Sequence, residues 1–129
     1  MNYQRHKSEE SVEDYLETIL ILSKQKPQVR SIDVATELGY SKPSVSVAMK
    51  RLRENGYIEM DADGYITLLP PGEVIAEKIY ARHQVLTAFL VQLGVSPECA
   101  AADACKIEHD ISDESYEKIK AVIRKPQEA

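Results

Sequence analysis

The segment SIDVATELGYSKPSVSVAMKRLREN, residues 31–55, has the pattern of a helix-turn-helix. Its first part predicts a short helix with Ser31 as the N-cap and Gly39 at the end. After a brief turn, Ser41 can cap a longer helix with Pro43 in its first turn, where the missing N–H costs little. Two helices joined by a few residues, with a glycine at the joint, are typical of this DNA-binding motif.

The second of these helices has the composition of a DNA-recognition helix. Its apolar residues share one face, and small polar and basic residues lie elsewhere, with no acidic residue between 41 and 53. Serine and backbone N–H groups can approach bases and phosphates, while lysine and arginine neutralise the DNA backbone. The alternative is an ordinary solvated helix surface. The residues expected to contact DNA are Ser31, Lys42, Pro43, Ser44, Ser46, Lys50 and Arg53.

Charge is distributed unevenly along the chain, whose formal net charge is −5. Six basic and two acidic residues lie between 26 and 53, so this segment carries +4 and the rest of the chain −9. A basic island in an acidic chain indicates a polyanionic partner, and double-stranded DNA fits it.

The next segment, YIEMDADGYITLLP at 57–70, predicts a β-hairpin that turns at Asp63-Gly64. A hairpin after a helix-turn-helix forms a winged helix. Its tip is acidic, with Asp61 and Asp63, so we expect the helix rather than the wing to bind phosphates.

The remaining segments are predicted to be helical. A helix at 11–23 precedes the motif, and a long helix at 72–94 has an apolar face wide enough for its own core and a partner subunit. Ser96-Pro97 opens a helix over 97–110, and Ser112 caps the last one. The chain is therefore predicted to be mainly α, with a winged helix-turn-helix at 1–70 and an all-helical domain at 71–129.

Composition excludes several classes of protein. No apolar run approaches the roughly 20 residues that span a bilayer, and the polar N-terminus lacks the core of a signal peptide. Cys99 and Cys105 are six residues apart on one predicted helix, so they point in different directions and are poor disulfide partners. Reduced cysteines indicate the cytoplasm.

Potential metal ligands occur in three places. In DACKIEHDIS, residues 103–112, a cysteine, a glutamate and a histidine lie one helical turn apart and are expected to project toward one point. A histidine interrupts the apolar face of the long helix, and two acids share a face of the first helix. Each group alone has a structural alternative, but together they would suffice for one or two divalent ions. The set is Asp14, Glu17, His83, Cys105, Glu108 and His109.

The combination of motifs resembles the diphtheria toxin repressor family of metal-dependent regulators, above all its short manganese transport regulator branch. The resemblance covers about residues 11–124 and includes SVEDYLETI, the winged helix, ARHQVL and CKIEHDIS. It implies a homodimeric repressor that binds operator DNA when loaded with Mn²⁺ or Fe²⁺, and it implies metal ligands at Asp14, Glu17, His83, Glu108 and His109. It implies no enzymatic activity and no small-molecule substrate.

Cys105 departs from the manganese branch, which usually carries a glutamate that can bridge two ions at this position. The iron branch has a cysteine there, but it has a methionine at the position of Asp14. Thr87 and Ala101 also replace a glutamate and a histidine of the iron branch. A thiolate ligand favours Fe²⁺, Co²⁺ or Zn²⁺ over Mn²⁺. The alternative for Cys105 is a small buried residue without a metal.

Two other functions are compatible with the same residues. A winged-helix regulator could be gated by oxidation of Cys105, with binding that follows oxidant and ignores chelators. A metallohydrolase would need an open coordination position, a general base and a substrate cavity. Once the ligands are assigned, the sequence offers no spare acid–base pair and no Gly-rich phosphate loop.

Overall fold

The computed structural model describes the backbone of residues 7–128 and the side chains of residues 11–123. Residues 1–6 and 129, which the predicted domains 1–70 and 71–129 include, lie outside the described residues. The elements are α1 (Lys7–Gln25), α2 (Ser31–Leu38), α3 (Lys42–Glu54), β1 (Ile58–Met60), β2 (Ile66–Leu68), α4 (Pro70–Gln92), α5 (Pro97–Ile107) and α6 (Asp113–Glu128). The prediction of a mainly α chain with a winged helix-turn-helix followed by helices is confirmed.

The described residues form two compact units, Lys7–Glu77 and the residues from Lys78 onward. The first unit contains α1 to α3, the two-stranded sheet and the start of α4. Its core consists of aliphatic side chains from every one of these elements, because each presents one apolar face. The most buried are Leu16, Ile19, Val34, Val45, Met49, Leu52, Ile58 and Ala76.

The ends of α2 and α3 are set by local hydrogen bonds. The predicted N-cap at Ser31 is wrong: Arg30 is the N-cap, and Ser31 is the first helical residue. Arg30 takes this position because the Asp33 carboxylate accepts a 2.8 Å hydrogen bond from the Arg30 backbone N–H. Gly39 ends α2 with a φ of 72°, as predicted, and Ser41 caps α3 through the Ser44 N–H.

The wing is a short antiparallel hairpin in which Ile58 pairs with Leu68. The Asp61 carboxylate accepts hydrogen bonds from the backbone N–H groups of Asp63 and Tyr65, so this acid holds the turn. Gly64 has a φ of 85°, which few other residues adopt. The acidic wing tip is therefore a structural feature of the turn.

The start of α4 packs against Tyr57, the residue that precedes β1. A Cβ placed on Gly72 would lie 2.2 Å from the carbonyl oxygen of Tyr57. The same oxygen accepts the Leu69 N–H at 2.9 Å, so the backbone at this point is held in place. The missing side chain of Gly72 is what allows α4 to approach the wing this closely.

The second unit contains the remainder of α4 with α5 and α6. Ser96 caps α5 and Ser112 caps α6, as predicted. Ala100 and Ala104 are fully buried, so α5 packs closely along this side. The predicted span of α5 to residue 110 is too long, since the helix ends at Ile107 and a turn follows. Within the described residues, we find no helix with the length and apolarity to cross a membrane.

We expect Gly72→Ala to lower the free energy of unfolding by about 1–3 kcal/mol, the usual cost of overpacking. Alanine is otherwise favoured over glycine within helices, so destabilisation would report the contact with Tyr57. Urea unfolding of this variant, with Pro71→Ala as an exposed neighbour for comparison, measures the effect. An equal or greater stability of Gly72→Ala would contradict the close approach.

Candidate metal centre

Three potential ligands of the second unit converge on one point. His83 comes from α4, Cys105 from the last turn of α5 and Glu108 from the residue that caps α5. His83 Nδ1 lies 2.8 Å from Glu108 Oε1 and 3.9 Å from Cys105 Sγ. One ligand atom from each of the three residues lies within 4.8 Å of the other two. The geometry matches a group of side chains able to share one ion.

Glu108 is the most buried of these residues, with no exposed surface. One of its carboxylate oxygens meets His83, while the other, Oε2, is buried and has no hydrogen-bond partner among the described residues. The nearest ring nitrogen to Oε2 among the ion pairs described is His109 Nε2, at 3.5 Å. Glu108 thus lies between two imidazoles. A buried carboxylate oxygen without a hydrogen bond is costly, and a cation is one of the few partners that offset that cost.

The end of α5 separates His109 from Cys105. Our prediction that Cys105, Glu108 and His109 project toward one point from a single helix is wrong, because the helix ends at Ile107. The Asp110 and Ile111 N–H groups both donate to the Ile107 carbonyl, which bends the chain into a turn. Cys105 and Glu108 meet His83, whereas His109 approaches the other oxygen of Glu108.

The environment of His83 favours its protonated form. Its hydrogen bonds, first with the Cys105 thiol and then with the Glu108 carboxylate, raise the pKa of His83 to about 10, although partial burial opposes the rise. The imidazolium therefore supplies the positive charge beside Glu108 when no metal is bound. Since a metal ligand must be a neutral imidazole, an ion and a proton compete for this site.

The donor set fits a divalent transition metal. A thiolate, an imidazole and a carboxylate together suit Fe²⁺, Co²⁺ or Zn²⁺ better than the hard ions Mg²⁺ and Ca²⁺. Cys105 is exposed, so the alternative that it is a small buried residue is wrong. The exposed thiol and half-buried His83 leave one side of the cluster open to solvent.

The other two predicted ligands, Asp14 and Glu17, belong to the first unit. They lie three residues apart on α1, where Asp14 is half-buried and Glu17 is only 6% exposed. An acid this buried is retained in proteins when it is paired or coordinates a cation.

The predicted DNA-contacting residues lie at the N-terminus of α2 and along α3. Ser31 is half-buried, whereas the six predicted residues of α3 are exposed. Ser31, Lys42 and Ser46 line, with Ile32, a shallow depression of about 180 Å³ between the two helices. Arg51 is also exposed on α3 but was not among the predicted residues. Apart from Val47, which is 54% exposed, the surface of α3 between residues 42 and 53 is mostly basic and polar, as a recognition helix requires.

One residue of the second unit has a role that we did not predict. Arg82 is only 6% exposed, and its guanidinium meets the turn that carries Glu108. The sequence does contain a signal for this role, because Arg82 is next to His83 in an apolar stripe. The signal is weak, since an arginine side chain usually extends its charge to solvent.

Comparisons with known proteins agree with this architecture. Residues 8–66 match the model of the iron dependent repressor N-terminal DNA binding domain, and residues 70–129 match that of the iron dependent repressor metal binding and dimerisation domain.

Two relatives are named transcriptional regulator MntR. The protein of Salmonella typhimurium is 40% identical over 108 residues, which are 84% of this chain and 69% of the relative. The protein of Escherichia coli O157:H7 is 38% identical over 116 residues, 90% of this chain and 75% of the relative. Both are transcriptional regulators by name.

A similar solved structure is described as a manganese-dependent transcriptional repressor in complex with manganese. It superimposes with a TM-score of 0.80 at 28% identity, over 87% of this chain and 53% of that one. The present chain thus spans about half the length of that repressor.

In the metal-free protein, we expect His83 to remain protonated well above pH 6.5 and Glu108→Gln to lower its pKa, because an amide carries no charge. A pKa raised on folding contributes stability that is present below about pH 6.5 and is lost as the pH rises through about 10. NMR titration of the imidazole ¹⁵N shifts measures the pKa of His83 in the unaltered protein and in Glu108→Gln. Glu98→Gln, at an exposed position of α5, is the control. Titration near 6.5, or no change in Glu108→Gln, would contradict the assignment.

Proposed function

The chain belongs to the iron-dependent repressor family, and from that premise we propose that it is a metal-dependent transcriptional regulator whose homodimer binds operator DNA when loaded with Fe²⁺ or Mn²⁺. The observation that carries this proposal is the cluster of His83, Cys105 and Glu108, whose buried carboxylate oxygen accepts no hydrogen bond from the described residues. Residues 1–70 would form the DNA-binding domain and residues 71–129 the metal-binding and dimerisation domain.

The metal would be held by six residues: Asp14, Glu17, His83, Cys105, Glu108 and His109. Four of them belong to the second unit, where Glu108 already lies between the two histidines. The burial of Glu17 and its spacing from Asp14 on one side of α1 support adding these two acids. When bound, the ion would supply positive charge and coordination bonds to donors from both ends of the chain.

Cys105 is expected to decide between metals. A thiolate raises affinity for Fe²⁺, Co²⁺ and Zn²⁺ relative to Mn²⁺, and its single sulfur replaces a carboxylate that could bridge two ions. We therefore favour Fe²⁺ and retain Mn²⁺ as the alternative, since the matched relatives are MntR proteins.

The ligands on this chain would link metal binding to DNA binding through α1. Without a cation, the negative charges of Asp14, Glu17 and Glu108 repel one another if they are brought together. Neutralising them would favour the arrangement in which α1, and the helix-turn-helix that follows it, is held in one orientation. The free energy of metal binding would thereby bias the protein toward the DNA-binding state.

Operator recognition would come from α3 of each subunit. Two copies related by a two-fold axis can enter successive major grooves about 34 Å apart, so the operator would be palindromic. The residues expected to contact bases and nearby phosphates are Ser31, Lys42, Pro43, Ser44 and Ser46, while Lys50 and Arg53 would contact the DNA backbone. The expected location is the cytoplasm, where such DNA is found.

Neither alternative function is supported by the comparisons. The matched relatives are transcriptional regulators, which argues against a metallohydrolase. The matched domain families are iron dependent repressors, and this match does not support gating by oxidation of Cys105.

To test this function, DNA binding can be measured with and without metal in two variants. The probe is a duplex selected from a random-sequence library by the Fe²⁺- or Mn²⁺-loaded protein, and fluorescence anisotropy gives its affinity. We expect Glu17→Gln to lose most of the metal stimulation, because the amide is a weaker ligand, while the exposed Glu77→Gln keeps it.

Lys50→Ala should give the opposite result. Loss of this exposed lysine should weaken DNA binding and lower the slope of log affinity against log salt by about 1, with metal affinity unchanged. Full metal stimulation in Glu17→Gln would show that the site is drawn wrongly. DNA affinity that ignores both metal and chelator in the unaltered protein would refute metal-dependent regulation.

A further inference from the structure

Arg82 holds the turn that follows α5. Its Nη1 donates to the carbonyl oxygens of Glu108 at 3.2 Å and Ile111 at 2.8 Å, while its Nη2 pairs with an Asp113 carboxylate oxygen. The guanidinium carbon also lies 5.2 Å from the ring centre of Tyr116. We call Arg82, Asp113 and Tyr116 the Arg82 clamp.

The carbonyl groups held by this clamp lie at the cap of α5 and in the turn that follows it. Helix α5 ends at Ile107, Glu108 is its C-cap residue, and Ile111 lies just after the turn. A cation at this end is also favoured by the helix dipole. Arg82 therefore stabilises the point at which the chain leaves the helix and turns, and Glu108 and His109 are the residues that this turn carries.

Helix α4 contacts Glu108 twice, through consecutive residues. Arg82 binds its backbone carbonyl, and His83 binds its side-chain carboxylate. Because neighbouring side chains of a helix are about 100° apart, the two contacts reach Glu108 from different directions. The backbone and the side chain of Glu108 are thus both held by the same turn of α4, and these two contacts define where the Glu108 carboxylate lies.

Stability alone does not account for this arrangement. A buried arginine is costly. Within the part of the chain that the structure describes, Arg82 Nε has no hydrogen-bond partner, and the side chain of its carboxylate partner, Asp113, is 75% exposed. Lys78 approaches the same oxygen of Asp113 at 3.7 Å. The described hydrogen bonds of Arg82 all end on residues 108–113. What they determine is the conformation of the segment that carries two ligands.

We propose that Arg82 is a positioning residue of the metal centre, which with Asp113 and Tyr116 presents Glu108 and His109 in the geometry that binds the ion. The inference rests on the proposed function, since it assigns Arg82 a role toward that site. It also makes α6 part of the metal response, because Asp113 and Tyr116 both belong to that helix.

The test uses the full chain with Arg82→Lys, Asp113→Asn and the control Glu114→Gln. Glu114 is the exposed acid next to Asp113, so its substitution removes the same charge from the same helix end without touching Arg82. Three measurements are made on each protein: circular dichroism for folding, amide hydrogen exchange of residues 108–111 without metal, and Mn²⁺ affinity by loss of the free-ion EPR signal.

We expect Arg82→Lys to accelerate exchange of the 108–111 amides and to weaken Mn²⁺ binding by about 10- to 100-fold, the usual effect of losing a group that orients a ligand. Asp113→Asn should produce smaller changes of the same kind, and Glu114→Gln less than a twofold change. If Arg82→Lys fails to fold, Asp113→Asn decides, because its exposed side chain can be altered without opening the core.

Folded variants with the exchange and Mn²⁺ affinity of the unaltered protein would overturn the positioning role. Equal loss of Mn²⁺ affinity in Asp113→Asn and Glu114→Gln would also overturn the positioning role, since it would show a general effect of removing negative charge from this helix end. An unaltered protein that binds neither Mn²⁺ nor Fe²⁺ would refute the proposed function instead. In that case the amide exchange of residues 108–111 still tests the Arg82 clamp. Unchanged exchange in Arg82→Lys and Asp113→Asn would show that the clamp does not hold the turn, and faster exchange would show that it does.

Discussion

The second unit depends on keeping the carboxylate of Glu108 in an interior position. A fully buried negative charge is unfavourable unless cations or hydrogen-bond donors surround it. Here His83 provides one such contact, and its hydrogen bonds with the Cys105 thiol and then with the Glu108 carboxylate raise the pKa of this histidine. Among the described residues the other oxygen has no hydrogen-bond partner, and we propose that a divalent ion binds there. The architecture around it, with α4 on one side and the end of α5 on another, holds these groups at short distances.

The first unit meets a different constraint, which is to expose a basic surface from a chain that is acidic as a whole. The apolar side chains Val45, Met49 and Leu52 of α3 face the core, and the exposed residues of this helix include serines, lysines and arginines, together with Val47. The wing contributes shape without positive charge, because Asp61 is engaged with its own turn. Specific contact with DNA is therefore expected to come mainly from α3.

Features decided by neighbouring residues were predictable from the sequence. Ser41, Gly39, Ser96 and the wing turn follow from capping and turn preferences, and the architecture follows from hydrophobic periodicity. Features decided by distant residues were not. The helical pattern of α5 continues through Glu108 and His109, and nothing local shows that the helix stops at Ile107, where Arg82 from α4 binds the carbonyl oxygens beyond. The cap at Arg30 is an exception, since it is a local feature that was missed: the Asp33 carboxylate accepts a hydrogen bond from the Arg30 backbone N–H, and the helix begins one residue earlier than predicted. The candidate ligands could be named from the sequence. Their arrangement around Glu108 could not be predicted, because it depends on the turn that follows α5.

The most direct test of the metal centre is an anaerobic titration of the reduced, chelator-stripped protein with Co²⁺, followed by absorption spectroscopy. Cobalt bound to a thiolate gives an intense near-ultraviolet band, whereas cobalt bound only to nitrogen and oxygen does not. We predict that this band saturates in the unaltered protein and in Cys99→Ser, and that it is lost in Cys105→Ser, because Cys105 alone of the two cysteines lies beside His83 and Glu108. Cobalt binding without the band, or a band that disappears with Cys99, would contradict the assignment of Cys105, His83 and Glu108 as one metal site.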